Sequence, residues 1–314
     1  MRTLVRDLAL ALRECVVPLL GSHAGRAHGE ELGEGGDVTF AIDAEAEALL
    51  ERFLSERAPD VAFYSEDRGL VAPDGAETVL VVDPIDGTRP AMAGLESCCV
   101  SIAAAPLREG VTMGEVTVGC VVEIPSGAVF LAERGKGLVE SPPVRLSAND
   151  RLDRMFWTYG FRGRPARPTV EVIGDLIDLS SVGGGQFDLG SAAFDMTRVV
   201  TGQLDAYIEP GPRLIEAVPA MRAEFERVGG GAVLNNSPYD LAGAAICLEE
   251  AGAIVTDASG RTLSDRPLLG SGAEFQMSIV ASANERLHER ILEQLDLGIE
   301  RLRVRFDTEV IEPS

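Results

Sequence analysis

Short apolar runs and longer segments with helical spacing of apolar residues follow one another along the chain. In the first half short runs dominate and predict strands near residues 61–65, 78–83, 98–105, 115–124 and 127–133. In the second half strands alternate with helices, and the helices are predicted near residues 169–179, 191–202, 240–251 and 284–300. This order is typical of an α+β domain over 1–148 followed by an α/β domain over 149–314.

One apolar run leads directly into acidic residues. Residues 79–82 are all apolar and mostly β-branched, and they predict a buried strand that Pro84 would end, because proline cannot donate to a ladder. Residues 83–88 then read Asp-Pro-Ile-Asp-Gly-Thr, which places Asp83 and Asp86 three positions apart. Paired carboxylates, accessible amides and a hydroxyl suit a hard cation and a phosphate. Asp-Pro and Asp-Gly are also ordinary turn pairs, so the motif alone leaves a structural role open.

Composition narrows the possible partners. The 314 residues are 46% hydrophobic, which suits one large or two intimate globular domains with a substantial core. A formal net charge of −22 repels nucleic acid and anionic membranes, so we expect neither as a partner. The five cysteines show no disulfide-framework spacing, and the chain has no signal-peptide core or transmembrane run. We therefore expect a cytoplasmic protein.

Further blocks accompany the central motif. They are Asp-Val-Thr-Phe-Ala-Ile-Asp at 37–43, Ser-Glu-Asp at 65–67, Tyr-Asp-Leu-Ala-Gly-Ala-Ala at 239–245 and Glu-Ala-Gly-Ala at 250–253. In this order, and together with residues 83–88, these blocks resemble the inositol monophosphatase family of magnesium-dependent, lithium-sensitive phosphatases. The resemblance spans roughly residues 30–285, and the central motif is its most specific part.

The resemblance implies a fold and a metal site. The fold would be α+β, a layered αβαβα sandwich of the sugar-phosphatase type, and the site would hold two or three Mg²⁺ ions. The first ion would be bound by Glu66, Asp83 and the carbonyl oxygen of Ile85, and the second by Asp83, Asp86 and Asp240. Glu66 would also reach a third ion through water. Mg²⁺ prefers oxygen ligands and keeps several waters, so few protein ligands are needed for each ion.

The resemblance also implies how the attacking water is activated. The catalytic residues would be Asp43, Glu66 and Thr88, with the Thr88 hydroxyl, backed by Asp43, orienting and deprotonating the water. The residues alone allow simpler roles. Asp43 could only cap the helix predicted over 44–57, and Asp240 could only cap the helix that follows it, because aspartate is a favoured cap.

Substrate contacts are implied by the same resemblance. The residues concerned are Asp86, Gly87, Thr88, Ser191, Ala192, Asp205 and Glu209. The amides of Gly87 and Thr88 would face the phosphate, whereas Asp205 and Glu209 would contact substrate hydroxyls. On their residue types alone, Asp205 could be a turn residue and Glu209 a solvated acid, so both interpretations stay open at this point.

The predicted function is Mg²⁺-dependent hydrolysis of a small polyol or sugar phosphate. Relatives in the same class cleave fructose bisphosphate, 3′-phosphoadenosine nucleotides or histidinol phosphate, and these substrates remain alternatives. A hypothesis of another class is a metal-binding pseudo-enzyme that engages a protein partner. The partners expected from the resemblance are a small phosphorylated substrate and a second copy of the chain, in a homodimer.

One segment departs from the family pattern. About thirty residues, 210–238, separate Glu209 from Asp240, and their apolar residues recur at helical spacing on either side of Pro219. We interpret this insertion as a lid or a subunit contact beside the site. The arginines at 162, 164 and 167 could bind phosphate, but their Gly- and Pro-rich surroundings favour a solvated loop.

Overall fold

The computed structural model describes the backbone of residues 1–22, 28–32 and 38–311, and the side chains of residues 1–22 and 40–306. The helices are α1 (Arg2–Val16), α2 (Ala41–Arg57), α3 (Thr88–Ala93), α4 (Ala166–Ser180), α5 (Ala192–Thr201), α6 (Gly211–Ala217), α7 (Met221–Val228), α8 (Pro238–Ala251) and α9 (Glu285–Ile311). The strands are β1 (His28–Leu32), β2 (Val38–Phe40), β3 (Ala62–Ser65), β4 (Gly69–Val71), β5 (Thr78–Asp86), β6 (Cys99–Pro106), β7 (Val118–Glu123), β8 (Val129–Glu133), β9 (Gly137–Glu140), β10 (Phe156–Thr158), β11 (Gly185–Phe187), β12 (Ala206–Glu209), β13 (Ile254–Thr256) and β14 (Ile279–Ser282). The predicted helices and strands named above are present with their ends shifted by a few residues, except that α9 continues eleven residues beyond the predicted end at residue 300.

The larger sheet carries the motif strand β5 near its centre, in the order β4-β3-β5-β6-β7-β8-β9. Neighbouring strands are antiparallel, except that β3 and β5 are parallel. Side chains alternate between the faces of a strand, so Val79 and Val81 enter one apolar core while Leu80 and Val82 enter another. Burial on both faces explains why the run 79–82 is continuously apolar.

The smaller sheet lies in the second half of the chain, in the order β11-β10-β12-β14-β13. Strand β10 is parallel to both β11 and β12, and β14 is antiparallel to β12 and β13. Helices α4 and α5 lie between these parallel strands in the sequence, because a parallel connection needs a crossover. The α/β alternation predicted for the second half is therefore confirmed.

Among the described residues, three apolar cores fill the spaces between five layers, and the middle core occupies both faces of the central helix layer. Helices α1 and α2 pack on the outer face of the larger sheet, and α5 and α8 lie between the two sheets. Helices α4 and α9 cover the outer face of the smaller sheet. This arrangement is the predicted αβαβα sandwich. In the part of the chain that the structure describes, no helix is both long and apolar enough to cross a membrane.

Helix α8 lies unusually close to the larger sheet because glycine occupies the contact on both sides. A Cβ atom at Gly243 would lie 2.7 Å from the Ser101 hydroxyl oxygen and 2.9 Å from the Ile102 carbonyl oxygen. A Cβ atom at Gly119 would lie 2.6 Å from the Gly243 carbonyl oxygen. Ser101 pairs with Asp83 across β5 and β6, so this close contact holds the first turn of α8 next to the end of β5.

The insertion over 210–238 folds against its own chain. Pro219 lies between α6 and α7, as the sequence predicts for a helix divided by proline. Four large apolar side chains of the insertion enter the core that contains α9. They are Leu214, Val218, Met221 and Phe225. These side chains are therefore not available for a subunit contact, whereas the interpretation of the insertion as a lid or a subunit contact stays a prediction.

The predicted domain boundary falls between β9 and β10. The core between the sheets takes side chains from both halves, because α5 and α8 contact the larger sheet while Tyr207 and Ile279 join them from the smaller one. The division at residue 148 stays a prediction. The segment 22–36, whose many Gly and Glu residues predict a mobile loop, lies partly outside the described residues.

His288 is a buried base on α9. Its Nδ1 lies 2.9 Å from the Ser282 hydroxyl oxygen and its Nε2 lies 2.9 Å from the Thr256 hydroxyl oxygen, and the residue is 4% exposed. Burial lowers the pKa of His288 from 6.5 to about 4. Since the native pKa lies below the unfolded one, the stabilising contribution is present above pH about 6.5 and is lost as the pH falls towards about 4.

We therefore expect the unfolding free energy to fall on acidification in a way that depends on His288. At about 1.4 kcal/mol for each pKa unit, the loss attributable to this ring is on the order of 2–3 kcal/mol. Urea denaturation at pH 7 and pH 4.5 should show a smaller change for His288→Gln than for the wild type. Equal pH dependence in the two proteins would contradict this assignment.

Candidate active site with a carboxylate cluster

The central motif forms a bulge rather than a strand end. Strand β5 continues through Pro84 to Asp86, so the prediction that Pro84 ends the strand is wrong. The register shifts by one residue, because Asp83 pairs with Ser101 whereas Asp86 pairs with Cys99. A bulge tolerates proline since the extra residue makes no ladder bond. The bend brings both carboxylates to the same end of the sheet.

Three carboxylates converge at this bulge. Oxygen atoms of Asp83, Asp86 and Asp240 all lie within 4.8 Å of one another. Asp240 is in the first turn of α8, where its Oδ2 accepts a hydrogen bond of 2.6 Å from the Ser237 amide. The simpler role that the sequence allowed for Asp240, helix capping, is therefore present together with its place in the cluster.

Asp86 is held by the start of α5. Its Oδ2 accepts hydrogen bonds from the Ser191 hydroxyl at 2.7 Å and from the Ala193 amide at 2.5 Å, and its Oδ1 accepts one from the Ala192 amide at 3.3 Å. Ser191 and Ala192, which the resemblance assigns to the substrate, thus contact a carboxylate of the cluster, and both line the same cleft.

Burial and mutual repulsion make this cluster a site for a multivalent cation. Burial, followed by the charges of Asp86, Asp240 and Glu66, raises the pKa of Asp83 well above its usual range. Burial, followed by the charge of Asp86, raises the pKa of Asp240 to about 7. Carboxylates gathered in this way are stabilised in their charged form by a divalent cation with oxygen preference. The donor set therefore fits Mg²⁺, with Glu66 lining the same cleft.

A hydroxyl and a carboxylate lie beside the cluster. The Thr88 hydroxyl oxygen is 3.2 Å from Asp43 Oδ1 and 3.1 Å from the Ile85 carbonyl oxygen. Asp43 Oδ2 accepts a hydrogen bond of 2.9 Å from the Phe40 amide. Helix α2 begins at Ala41, so Asp43 is its third residue rather than the residue before its first turn, but its side chain caps the start of α2 as that of Asp240 caps the start of α8. The other carboxylate oxygen of Asp43, Oδ1, accepts the hydrogen bond from the Thr88 hydroxyl.

Gly87 allows the chain to turn sharply between the bulge and α3. Its φ angle is +90°, in the left-handed region that favours glycine. A Cβ atom there would lie 2.7 Å from the Ser97 carbonyl oxygen and 2.9 Å from the Ser191 side chain. Backbone conformation and close packing both explain the glycine. Gly87 and Thr88 line the cleft, and a phosphate contact of their amides stays a prediction.

Glu209 lies in the opposite wall of the cleft. It is fully buried, its Oε2 is 2.6 Å from Arg164 Nε, and its Oε1 accepts a hydrogen bond of 2.8 Å from the Gly211 amide. Neither residue is solvated, so the sequence interpretation is wrong for Glu209 as an exposed acid and for Arg164 as part of a solvated loop. Glu209 reaches the cleft, but as half of an ion pair.

Asp205 does not reach the cleft. It precedes β12, and Glu209 ends it, so the two side chains are separated by about 13 Å of extended chain. The Asp205 carboxylate accepts hydrogen bonds from the Phe156 amide at 2.8 Å and from Asn149 Nδ2 at 3.2 Å. The expectation that Asp205 contacts the substrate is not supported by this placement, because its carboxylate fastens β10 to β12.

Several residues of the cleft were not assigned to the site from the sequence. They are Arg89, Gly160, Arg162, Arg164, Asp188, Gly190, Asp195, Tyr207, residues 234–237, Tyr239 and Gln276. For Arg162 and Arg164 the sequence offers phosphate binding as a role but favours a solvated loop. The only sequence signal for these two arginines is their charge, and charge does not show that their loop faces the cleft.

Comparisons with known proteins agree with this architecture. The model of the inositol monophosphatase family matches residues 5–300. Fructose-1,6-bisphosphatase/inositol-1-monophosphatase of Methanothermobacter thermautotrophicus is 27% identical over 302 residues, which cover 92% of this chain and 94% of that protein. The putative Nus factor SuhB of Neisseria meningitidis serogroup B is 28% identical over 226 residues, which cover 71% of this chain and 75% of that protein.

A solved structure gives the same result for the fold. The extragenic suppressor protein SuhB from Bartonella henselae has a TM-score of 0.68 at 21% identity, covering 93% of this chain and 97% of that one. The family match extends over nearly the whole chain and includes every residue of the carboxylate cluster. This chain belongs to the inositol monophosphatase family.

Proposed function

We propose that this protein is a Mg²⁺-dependent phosphomonoester hydrolase that acts on a small polyol or sugar phosphate. The observation that carries the proposal is the position of the Thr88–Asp43 pair beside three converging carboxylates. A site that only bound a cation would need the three carboxylates, but it would not need the Thr88 hydroxyl paired with the additional carboxylate of Asp43. Family membership supports the same class of reaction.

The chain offers oxygen ligands for two or three ions. Glu66, Asp83 and the Ile85 carbonyl oxygen would hold the first ion, and Asp83, Asp86 and Asp240 the second. Mg²⁺ bound there would neutralise the phosphoryl oxygens and lower the pKa of bound water. Asp83 would be shared, which agrees with the crowding of negative charge that raises its pKa.

Thr88 and Asp43 would move the proton. The Thr88 hydroxyl donates to Asp43 Oδ1 and can accept a proton from the attacking water as its own proton passes to Asp43. The bond from water oxygen to phosphorus forms while the bond from phosphorus to the ester oxygen breaks, and the departing oxygen keeps that electron pair and takes a proton from solvent. The amides of Gly87 and Thr88 would bind the phosphoryl oxygens.

The identity of the substrate and the assembly state are proposed in addition to the class of reaction. A relative is named for both fructose-1,6-bisphosphatase and inositol-1-monophosphatase activity, so bisphosphate and polyol monophosphate are both candidates. Another is named as a putative Nus factor, which keeps a role in binding a protein partner as the second hypothesis. A cytoplasmic homodimer remains part of the proposal.

Phosphate release separates the two hypotheses. The panel should contain inositol 1-phosphate, glycerol 2-phosphate, fructose 1,6-bisphosphate, 3′-phosphoadenosine 5′-phosphate and histidinol phosphate. We expect turnover of at least one of them with Mg²⁺, none in EDTA, and recovery when Mg²⁺ is added back. Absence of phosphate release from every compound at saturating Mg²⁺ would favour the metal-binding partner protein.

A further inference from the structure

Glu47 is a buried carboxyl group on α2 that the proposed hydrolysis does not use, and it is 3% exposed. The other buried residues of α2 are apolar and enter the core between this helix and the larger sheet. They are Ile42, Ala46, Leu50 and Leu54. Burying a carboxyl group among apolar side chains costs stability unless hydrogen bonds compensate. Packing alone therefore does not explain an acid at this position.

The carboxylate of Glu47 is hydrogen-bonded to the residues on either side of Glu66 in the sequence. Its Oε2 accepts a hydrogen bond of 2.9 Å from the hydroxyl of Ser65, which is fully buried. The Asp67 amide donates another hydrogen bond to the same carboxylate. These contacts hold the residue before Glu66 through its side chain and the residue after Glu66 through its backbone.

The segment held in this way is the hairpin turn between β3 and β4. Ser65 pairs with Gly69, so only three residues form the loop. Gly69 has a φ angle of +62°, a left-handed conformation that is common in short hairpin connections. The Ser65 hydroxyl oxygen also accepts a hydrogen bond of 3.4 Å from the Arg68 amide. The Ser65 hydroxyl therefore closes the turn, and its bond to Glu47 joins the turn to α2.

The turn brings Glu66 to the end of the sheet where the carboxylate cluster lies. Strand β3 is parallel to β5 with Ser65 opposite Val82, so Glu66 and Asp83 follow at the same end of the two strands. Both residues line the cleft. Residues in loops are more mobile than those in strands, so the position of Glu66 depends on how firmly its turn is held.

Helix α2 contacts both sides of the site. Glu47 comes four positions after Asp43, and residues with this spacing lie on the same face of a helix. Asp43 Oδ1 is 3.2 Å from the Thr88 hydroxyl oxygen, one turn before the bond from Glu47 to Ser65. The same helix face therefore holds the proposed proton acceptor and the turn that carries Glu66.

We propose that Glu47 is a positioning residue that holds Glu66 in the geometry for binding the first Mg²⁺ ion. The inference rests on the proposed phosphatase function, in which Glu66 is a ligand of that ion. A ligand that is already held in place loses less conformational freedom when the ion binds, so the ion binds more tightly. Groups that orient metal ligands typically contribute roughly 10- to 100-fold to metal affinity or activity.

The test compares Mg²⁺ binding by the wild type, Glu47→Gln and Ser65→Ala. Calorimetric titration with Mg²⁺ alone should show an affinity lower by roughly 10-fold or more in both variants. Glu47→Gln keeps the size of the side chain but replaces one acceptor oxygen with a donor group. Ser65→Ala keeps the carboxyl group of Glu47 and removes the hydroxyl bonded to it. A loss of affinity in both variants therefore separates positioning from an effect of charge.

Glu51→Gln is the matched control, because Glu51 is exposed on the same helix and its substitution changes the net charge equally. It should bind Mg²⁺ as the wild type does. Glu66→Gln supplies a second measurement. Once the ligand itself is absent, adding Glu47→Gln should cause little further loss of Mg²⁺ affinity, whereas a purely structural role would give the same loss in both backgrounds. Thermal melting followed by circular dichroism verifies that each variant is folded.

Three results would overturn the proposal. The first is wild-type Mg²⁺ affinity in folded Glu47→Gln. The second is weak binding by Glu47→Gln together with normal binding by Ser65→Ala, which would assign the effect to charge. The third is an equal loss of affinity with and without Glu66. Each of them leaves Mg²⁺ binding and phosphate release by the wild type in place, whereas failure of the proposed function would appear in the wild type itself.

Discussion

Thr88→Ala is expected to lower kcat by roughly 10²-fold or more, as is usual for loss of a proton-transfer group. The Thr88 hydroxyl lies between Asp43 Oδ1 and the Ile85 carbonyl oxygen, and we do not propose it as a metal ligand. Mg²⁺ affinity should therefore stay nearly unchanged. Steady-state kinetics at saturating Mg²⁺ and calorimetric Mg²⁺ titration measure the two quantities separately.

Thr88→Ser is the matched control for this prediction. It keeps a hydroxyl that can bond to Asp43, so it should recover most of the lost turnover. The assignment of Thr88 to proton transfer rather than to metal binding would be wrong if Thr88→Ala bound Mg²⁺ poorly but turned over normally at saturating Mg²⁺. Loss of activity in Thr88→Ser equal to that in Thr88→Ala would point to packing of the methyl group instead.

The carboxylate cluster could be predicted from the sequence because its signals are local. The run 79–82 predicts a strand buried on both faces, and the motif that follows it places two acids at the strand end. Asp240 was added by resemblance, and the fold explains its place. Close packing of Gly243 on β6 holds the first turn of α8 beside the bulge. The bulge itself could not be predicted, since a proline after a strand usually signals its end.

The opposite wall of the cleft could not be predicted, because its contacts are not local. The ion pair of Arg164 with Glu209 joins residues far apart in sequence, and charge alone suggested two solvated side chains. Asp205 was misplaced for a related reason. Resemblance assigned it together with Glu209, but a short strand separates them and turns the Asp205 carboxylate towards β10.

The packing of the insertion could not be predicted from the sequence for the same reason. Its helical spacing and the division at Pro219 were predicted correctly. The spacing indicates that one face must be covered, but it does not say by what. The chain's own α9 covers that face, and only the return segment, 234–237, reaches the cleft.

Asp83→Asn should have the largest effect of any single substitution in the site. Asp83 is the carboxylate that both proposed ions would share, and it is 3% exposed. An asparagine keeps the size of the side chain and removes the charge. Loss of several kcal/mol of transition-state stabilisation corresponds to a fall in kcat/KM of roughly 10³-fold or more. Burial and neighbouring negative charge raise the pKa of Asp83, so the neutral substitution should not destabilise the metal-free fold.

Asp205→Asn is the matched control, because the sequence assigned both aspartates to the site and the structure places only Asp83 there. An asparagine at 205 retains an oxygen that can accept from the Phe156 amide. Its folding should be verified by thermal melting. Its turnover and Mg²⁺ affinity should remain close to those of the wild type.

The most direct measurement is phosphate release by the wild type, Asp83→Asn and Asp205→Asn, assayed side by side at saturating Mg²⁺ on the best substrate of the panel. We expect turnover by the wild type and by Asp205→Asn, and essentially none by Asp83→Asn. Full turnover by a folded Asp83→Asn would contradict the assignment of the carboxylate cluster as the metal-binding active site.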